Sequence, residues 1–143
     1  MEFRESSVIE RLLTTPATWA VVGLSNNQFR AAYGVAQFLQ QRLDMTIVPI
    51  HPRAETVHGA TGYPSLADLP DGAHVDVVDC FVNSSRVGGV VDGAIADAER
   101  LGIRAIWMQL DVIDTAAAER ARAAGIDVVM DACPAIEAPK LGL

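Results

Sequence analysis

Short apolar runs alternating with helix-spaced stripes constrain this chain more than any other feature of its sequence. The first run, Trp19-Ala20-Val21-Val22-Gly23-Leu24, is nearly continuous in apolar residues and closes on glycine and polar side chains. That is the pattern of a strand buried on both faces. Similar runs occupy residues 45–50, 75–81, 103–108 and 126–130. Between the first two, Ala32, Val35, Ala36, Leu39 and Leu43 recur at helical spacing. Between the third and fourth, Val87, Val90, Val91, Ala94, Ile95, Ala98 and Leu101 form the clearest apolar stripe, with Gly102 as its stop.

The remaining links are shorter. Residues 112–124 are alanine-rich, with Asp111 placed as the cap, Asp114 as the acidic partner of a capping box, and Gly125 before the next strand. Ser65-Leu66-Ala67-Asp68 predicts a short helix in the second crossover. Residues 1–14 add a leading helix, packed outside through Val8, Ile9, Leu12 and Leu13. Such alternation predicts an α/β fold: a Rossmann-like, doubly wound, five-stranded parallel sheet with helices on both faces. The preferred order is 3-2-1-4-5, because a switch beside strand 1 would put its glycine tip in a binding crevice.

Composition narrows the function classes. A chain of 143 residues suits one domain, spanning 1–143, and is short for the cofactor and substrate domains of a self-contained dehydrogenase. Half of it is apolar, 50%, against 20% charged, which supports a packed core. A net charge of -7 opposes a nonspecific grip on nucleic acid or an anionic membrane. Cys80 and Cys133 are too few for a disulfide framework, and neither a secretory segment nor a membrane span is evident, so a reducing, cytoplasmic setting is expected. His51, His58 and His74 form no metal-ligand pattern with the cysteines, and no metal is expected.

The chemistry concentrates at strand tips. After strand 1, Gly23, Leu24, Ser25 and Asn27 precede Arg30 and a helix, a setting in which backbone N–H groups can bind phosphate. The plain alternative is a tight polar turn with an N-cap. There is neither a full GxGxxG nor the Lys-Ser/Thr ending of a P-loop, which argues against a standard ATPase. At the second tip, His51-Pro52-Arg53 stands where many NAD sites carry an acid for the ribose. Arg53 instead suits a phosphate, with His51 as a further donor if protonated, so a phosphorylated adenosine end fits better than NAD; the plain alternative is a solvated Arg53 after a His51-Pro52 turn. Tyr63 can line the adenosine side or anchor the crossover, while Phe81, Val82 and Asn83 offer an apolar wall and amide contacts, with core packing the equal alternative for Phe81. Gln109 and Asp131 are secondary contacts; Trp107, Met108 and Met130 read as core.

Taken together, Ala20-Val21-Val22-Gly23-Leu24-Ser25, Tyr33-Gly34-Val35-Ala36, Pro49-Ile50-His51-Pro52-Arg53, Tyr63-Pro64-Ser65-Leu66-Ala67-Asp68, Trp107-Met108-Gln109-Leu110 and Val128-Val129-Met130-Asp131-Ala132-Cys133 are specific as a set. The chain resembles the small CoA-binding domain family, related to the CoA-binding domain of succinyl-CoA synthetase alpha subunits. That resemblance covers residues 15–137. It implies Gly23 and Ser25 at a pyrophosphate loop, Arg53 near the phosphate-bearing nucleotide end, and residues 81–83 as a ligand wall. The chain departs from the family pattern at Phe29-Arg30-Ala31-Ala32, at His51 and at Ala132.

The leading expectation is non-catalytic binding of coenzyme A or an acyl-CoA for sensing, carrying or presentation, with no catalytic residue assigned. The alternatives are an NADP-linked oxidoreductase component and a structural interaction module with a degenerate nucleotide pocket. A homodimer or another protein partner is compatible with each.

Overall fold

The computed structural model describes residues 3–143; the part of the expected leading helix that falls on residues 1 and 2 lies outside the described residues. The elements run α1 (Ser6–Thr14), β1 (Thr18–Val22), α2 (Ala31–Arg42), β2 (Thr46–Ile50), a short 3₁₀ turn (Leu66–Asp68), β3 (Val77–Cys80), α3 (Ser84–Leu101), β4 (Ala105–Met108), α4 (Thr115–Ala123), β5 (Asp127–Val129) and α5 (Pro134–Lys140). All four strand pairings are parallel. Helices α3 and α4 bury Val87, Val91, Ala94, Ala117, Ala118 and Ala121 over one face of the sheet. Helices α1, α2 and α5 cover the other face, where Trp19 and Trp107 meet with ring centroids 5.6 Å apart.

The fold class is the expected one, but the strand order is β2-β1-β3-β4-β5 rather than 3-2-1-4-5. Proline 49 explains the difference. A proline within a ladder belongs on an edge strand, where its missing N–H faces outward. The Pro49 carbonyl bonds outward to the Tyr63 N–H at 3.0 Å, so the nitrogen of the same residue faces that side too. Strand β2 is therefore an edge, whereas β3 is buried at every position and takes the centre. The switch point consequently lies between β1 and β3.

Two helix starts also differ, and one helix was not expected. Helix α1 begins at Ser6, after Phe3 has tucked into the core beneath the Arg122 guanidinium, 4.1 Å from its ring centroid. Helix α4 begins at Thr115: Asp114 is the N-cap, its carboxylate accepting the Ala117 N–H at 3.0 Å. Asp111 is not the cap; it sits in the preceding turn at φ 65° and donates its N–H to Asp131. Helix α5 was not expected, because Pro139 interrupts an already short apolar pattern. Its start is ordinary, with Pro134 in the first turn, where no intrahelical N–H is needed.

Candidate functional site

Two backbone bonds gather the strand tips. The Gly23 N–H reaches Ile50 O at 2.8 Å, tying the end of β1 to β2, and the Phe81 N–H reaches Val22 O at 2.9 Å, tying β3 to β1. Gly23 itself has φ +100°, and a Cβ there would lie 2.7 Å from the Phe81 carbonyl oxygen. Glycine is thus required twice over, by conformation and by space.

Above these tips opens a cavity of about 1120 Å³. That volume slightly exceeds the usual range for small-molecule sites, about 300–1,000 Å³. Of the expected site residues, Gly23, Ser25, Asn27, Arg30, His51, Pro52, Arg53, Phe81, Val82 and Asn83 line it. Two do not. Leu24 turns into the core under α2 and is fully buried, while Tyr63 packs beside the β2 tip, where its backbone extends the sheet edge. The anchoring alternative for Tyr63 is the one its backbone adopts.

The loop after Gly23 is internally bonded. The Asn26 N–H donates to Glu55 Oε1 at 3.0 Å, the Asn27 N–H to Ser25 Oγ at 3.3 Å, and the Phe29 N–H to Asn27 Oδ1 at 3.0 Å. These amides are already spent. Ala31 and Ala32 also line the cavity; they open the first turn of α2, where their N–H groups have no intrahelical acceptor and the N-cap Arg30 makes no side-chain cap. Sequence reading anticipated N–H groups near this helix start but did not assign them to Ala31 and Ala32, because alanine carries no chemical signature and only the observed start of the helix identifies them. At the second tip, His51 Nδ1 accepts the Arg53 N–H at 3.2 Å, so that nitrogen is an acceptor within the turn.

The wall from α3 was also missed. Arg86, Gly89, Val90, Gly93 and Asp97 line the cavity opposite Pro64, Ser65, Leu66 and Ala67 of the second crossover. Side chains at Gly89 and Gly93 would meet open space, so these glycines widen the groove rather than relieve a clash. Three arginines, Arg30, Arg53 and Arg86, border the cavity of an acidic chain. Phe29 stands on the adjoining loop, fully exposed.

Toward β4 the wall is uncharged, formed by Gln109, Leu110, Val112 and Cys133. Asp79 lies beneath it, fully buried, and burial raises its carboxyl to about 8 against the opposing bond from Gln109. The Cys133 thiol is also pushed up, chiefly by burial, which disfavours the reactive thiolate. Asp131 is engaged elsewhere, accepting the Asp111 N–H at 2.8 Å. Among the described residues no cluster of three His, Cys, Asp or Glu side chains is placed to hold a metal ion, and no helix is long and apolar enough to cross a membrane.

Comparison with known proteins gives this cavity a context. A redesigned-for-binding version of the PH1109 protein is 31% identical, with 96% of this chain and 92% of that one aligned at a TM-score of 0.84. A hypothetical protein from Pyrococcus horikoshii OT3 is 29% identical over 97% and 93% of the two chains, with a TM-score of 0.85. The dinucleotide-forming acetyl-coenzyme A synthetase 1 of Ca. Korarchaeum cryptofilum, in complex with phosphate and ADP, is 25% identical; 82% of this chain matches 26% of that one at a TM-score of 0.66. Residues 17–139 match the CoA binding domain family, and the chain belongs to that family.

Proposed function

We propose that the cavity binds coenzyme A or an acyl-CoA and that the domain carries, senses or presents this ligand without transforming it. The carrying observation is the single cavity that unites the β1/β3 switch point, the first-turn amides of α2 and three arginines. Helix N-terminal amides favour phosphate, and arginine offers paired donors to phosphate oxygens. The pyrophosphate lies against Gly23 and the Ala31 and Ala32 amides, with Ser25 and Asn27 shaping the loop. Arg53 takes the additional phosphate of the nucleotide. Phe81 and Val82 form the apolar wall, and Asn83 stands at its rim.

A binding role agrees with the polar groups present. His51 commits Nδ1 to its own turn, and Cys133 is held in its thiol form, so neither supplies a base or a nucleophile ready for group transfer. Calorimetry with CoA and dephospho-CoA tests the assignment. The native protein is expected to prefer CoA, and Arg53→Ala to lower CoA affinity by about tenfold while removing that preference, the scale of one charge-assisted contact. Equal binding of the two ligands by the native protein would sink the role of Arg53. Tight retention of NADP with hydride exchange would favour the oxidoreductase alternative instead.

A further inference from the structure

Strand order gives the cavity a direction. The tip of β2, with Arg53, and the tip of β4, with Gln109, are separated by β1 and β3. Three strand spacings amount to about 14 Å. The β2 end has Arg30, Arg53 and the start of α2 at hand, whereas the residues lining the cavity after β4 and β5, Gln109, Leu110, Val112 and Cys133, are uncharged; Arg86 reaches the cavity from the first turn of α3, which follows β3. A ligand with phosphates at one end and a neutral, amide-bearing arm at the other matches this polarity.

At the neutral end Gln109 is 4% exposed yet lines the cavity. Its backbone N–H is tied to Cys80 O at 3.3 Å, and its carbonyl accepts the Val112 N–H at 2.9 Å, which fixes the residue just beyond β4. Its side-chain Nε2 donates to Asp79 Oδ1 at 2.5 Å. Asp79 is fully buried, and its other oxygen, Oδ2, has no hydrogen-bond partner. Rotating Gln109 away would leave the buried acid with no hydrogen bond at all, the costly state for such a group. The amide is held in one orientation, with its Oε1 and second N–H left over.

We infer that Gln109, oriented by Asp79, is the specificity-determining contact for an amide group in the neutral arm of the ligand. The inference rests on the CoA reading and assigns the pantetheine segment to the β4 end. Gln109 is the binding residue; Asp79 is a positioning residue that acts through it. An amide contacting Gln109 replaces water with a fixed donor and acceptor pair, which rewards amide-bearing arms over plain hydrocarbon ones.

Calorimetric titration with CoA and with 3′-phosphoadenosine 5′-phosphate, which has the nucleotide end without the arm, separates the two ends. Gln109→Leu is expected to weaken CoA about three- to tenfold and leave the arm-less nucleotide unchanged. Asp79→Leu is expected to weaken CoA selectively as well, while the isosteric Asp79→Asn, which can still accept from Gln109, restores native affinity. Thermal melts identify any variant that is not folded, and the Asp79→Asn comparison then stands alone against the native protein. Equal losses for both ligands, or no loss in Gln109→Leu, would overturn the inference and leave the CoA reading standing. Failure of the native protein to bind either ligand would overturn both.

Discussion

At Gly23 a single hydrogen in place of a side chain keeps two strand tips together. The positive φ and the 2.7 Å approach of a hypothetical Cβ to the Phe81 oxygen are independent penalties. Gly23→Ala should therefore cost about 2–4 kcal/mol, read by urea denaturation, with weaker CoA binding because the Phe81 wall must shift. Asp79 poses a different problem. Folding holds its carboxyl near 8, whereas an unfolded aspartate ionises near 4. Between those values the native state keeps a proton that the unfolded state releases, so this group lowers stability as pH rises, by about 1.4 kcal/mol per pH unit. The effect levels off above the folded value. Its titratable neighbours include Cys80 and Cys133, whose thiols are pushed up by burial first, with Asp79 adding to both. Asp79→Asn should gain on the native protein progressively from about pH 4 to about pH 8, measured by denaturation at each pH; a constant difference would refute the buried neutral acid. Gly23 was readable from sequence because glycine at a strand tip has few other uses. The buried state of Asp79 was not, since it depends on β3 occupying the sheet centre.

The elements were legible wherever periodicity was long. Helix α3 combines an extended stripe with a left-handed Gly102 at its end, and its expected stop is the observed one. Helix α4 is short and alanine-rich, so its apolar pattern could not choose between Asp111 and Asp114 as cap; side-chain geometry chose Asp114. Asp114→Ala should cost about 1 kcal/mol, seen as a lower denaturation midpoint, while Asp111→Ala leaves that helix capped. The strand order was legible in principle through Pro49, whose missing donor suits an edge, but placing the glycine tip at a switch point satisfied either order. Both arrangements put Gly23 in a crevice. Only the observed one brings Phe81 against it. The cavity floor was therefore anticipated at β1, β2 and β3, together with N–H donors near the start of α2, whereas the α3 groove depended on packing between distant segments.

At the scale of the whole molecule the two ends of the sheet divide the work. The carboxyl edge holds the cavity, and the amino edge is tied by Asp76. Its Oδ2 accepts the Thr18 N–H at 2.8 Å, while Oδ1 meets His74 at 2.7 Å and Arg104 at 3.1 Å. Burial alone would raise this carboxyl, yet the Thr18 bond, His74 and Arg104 together hold it below the ordinary aspartate value. Its contribution is present above the unfolded value and disappears as pH falls through the lowered folded one. Asp76→Asn should thus reduce stability at pH 7 by about 1–3 kcal/mol, converge with the native protein in strong acid, and leave CoA affinity unchanged, as paired denaturation and calorimetry would show. The flanks of the sheet carry a separate consequence. On the outer side of β2, Tyr63 takes the Pro49 carbonyl and the His51 N–H, leaving Ile47 as the strand's open residue; on the outer side of β5, the Met130 N–H is taken by Phe3 O at 2.8 Å. Both margins are blunted against templated strand addition. Extension of the sheet by a second copy of the chain is thereby disfavoured, with Ile47 the one residue of β2 left open to it.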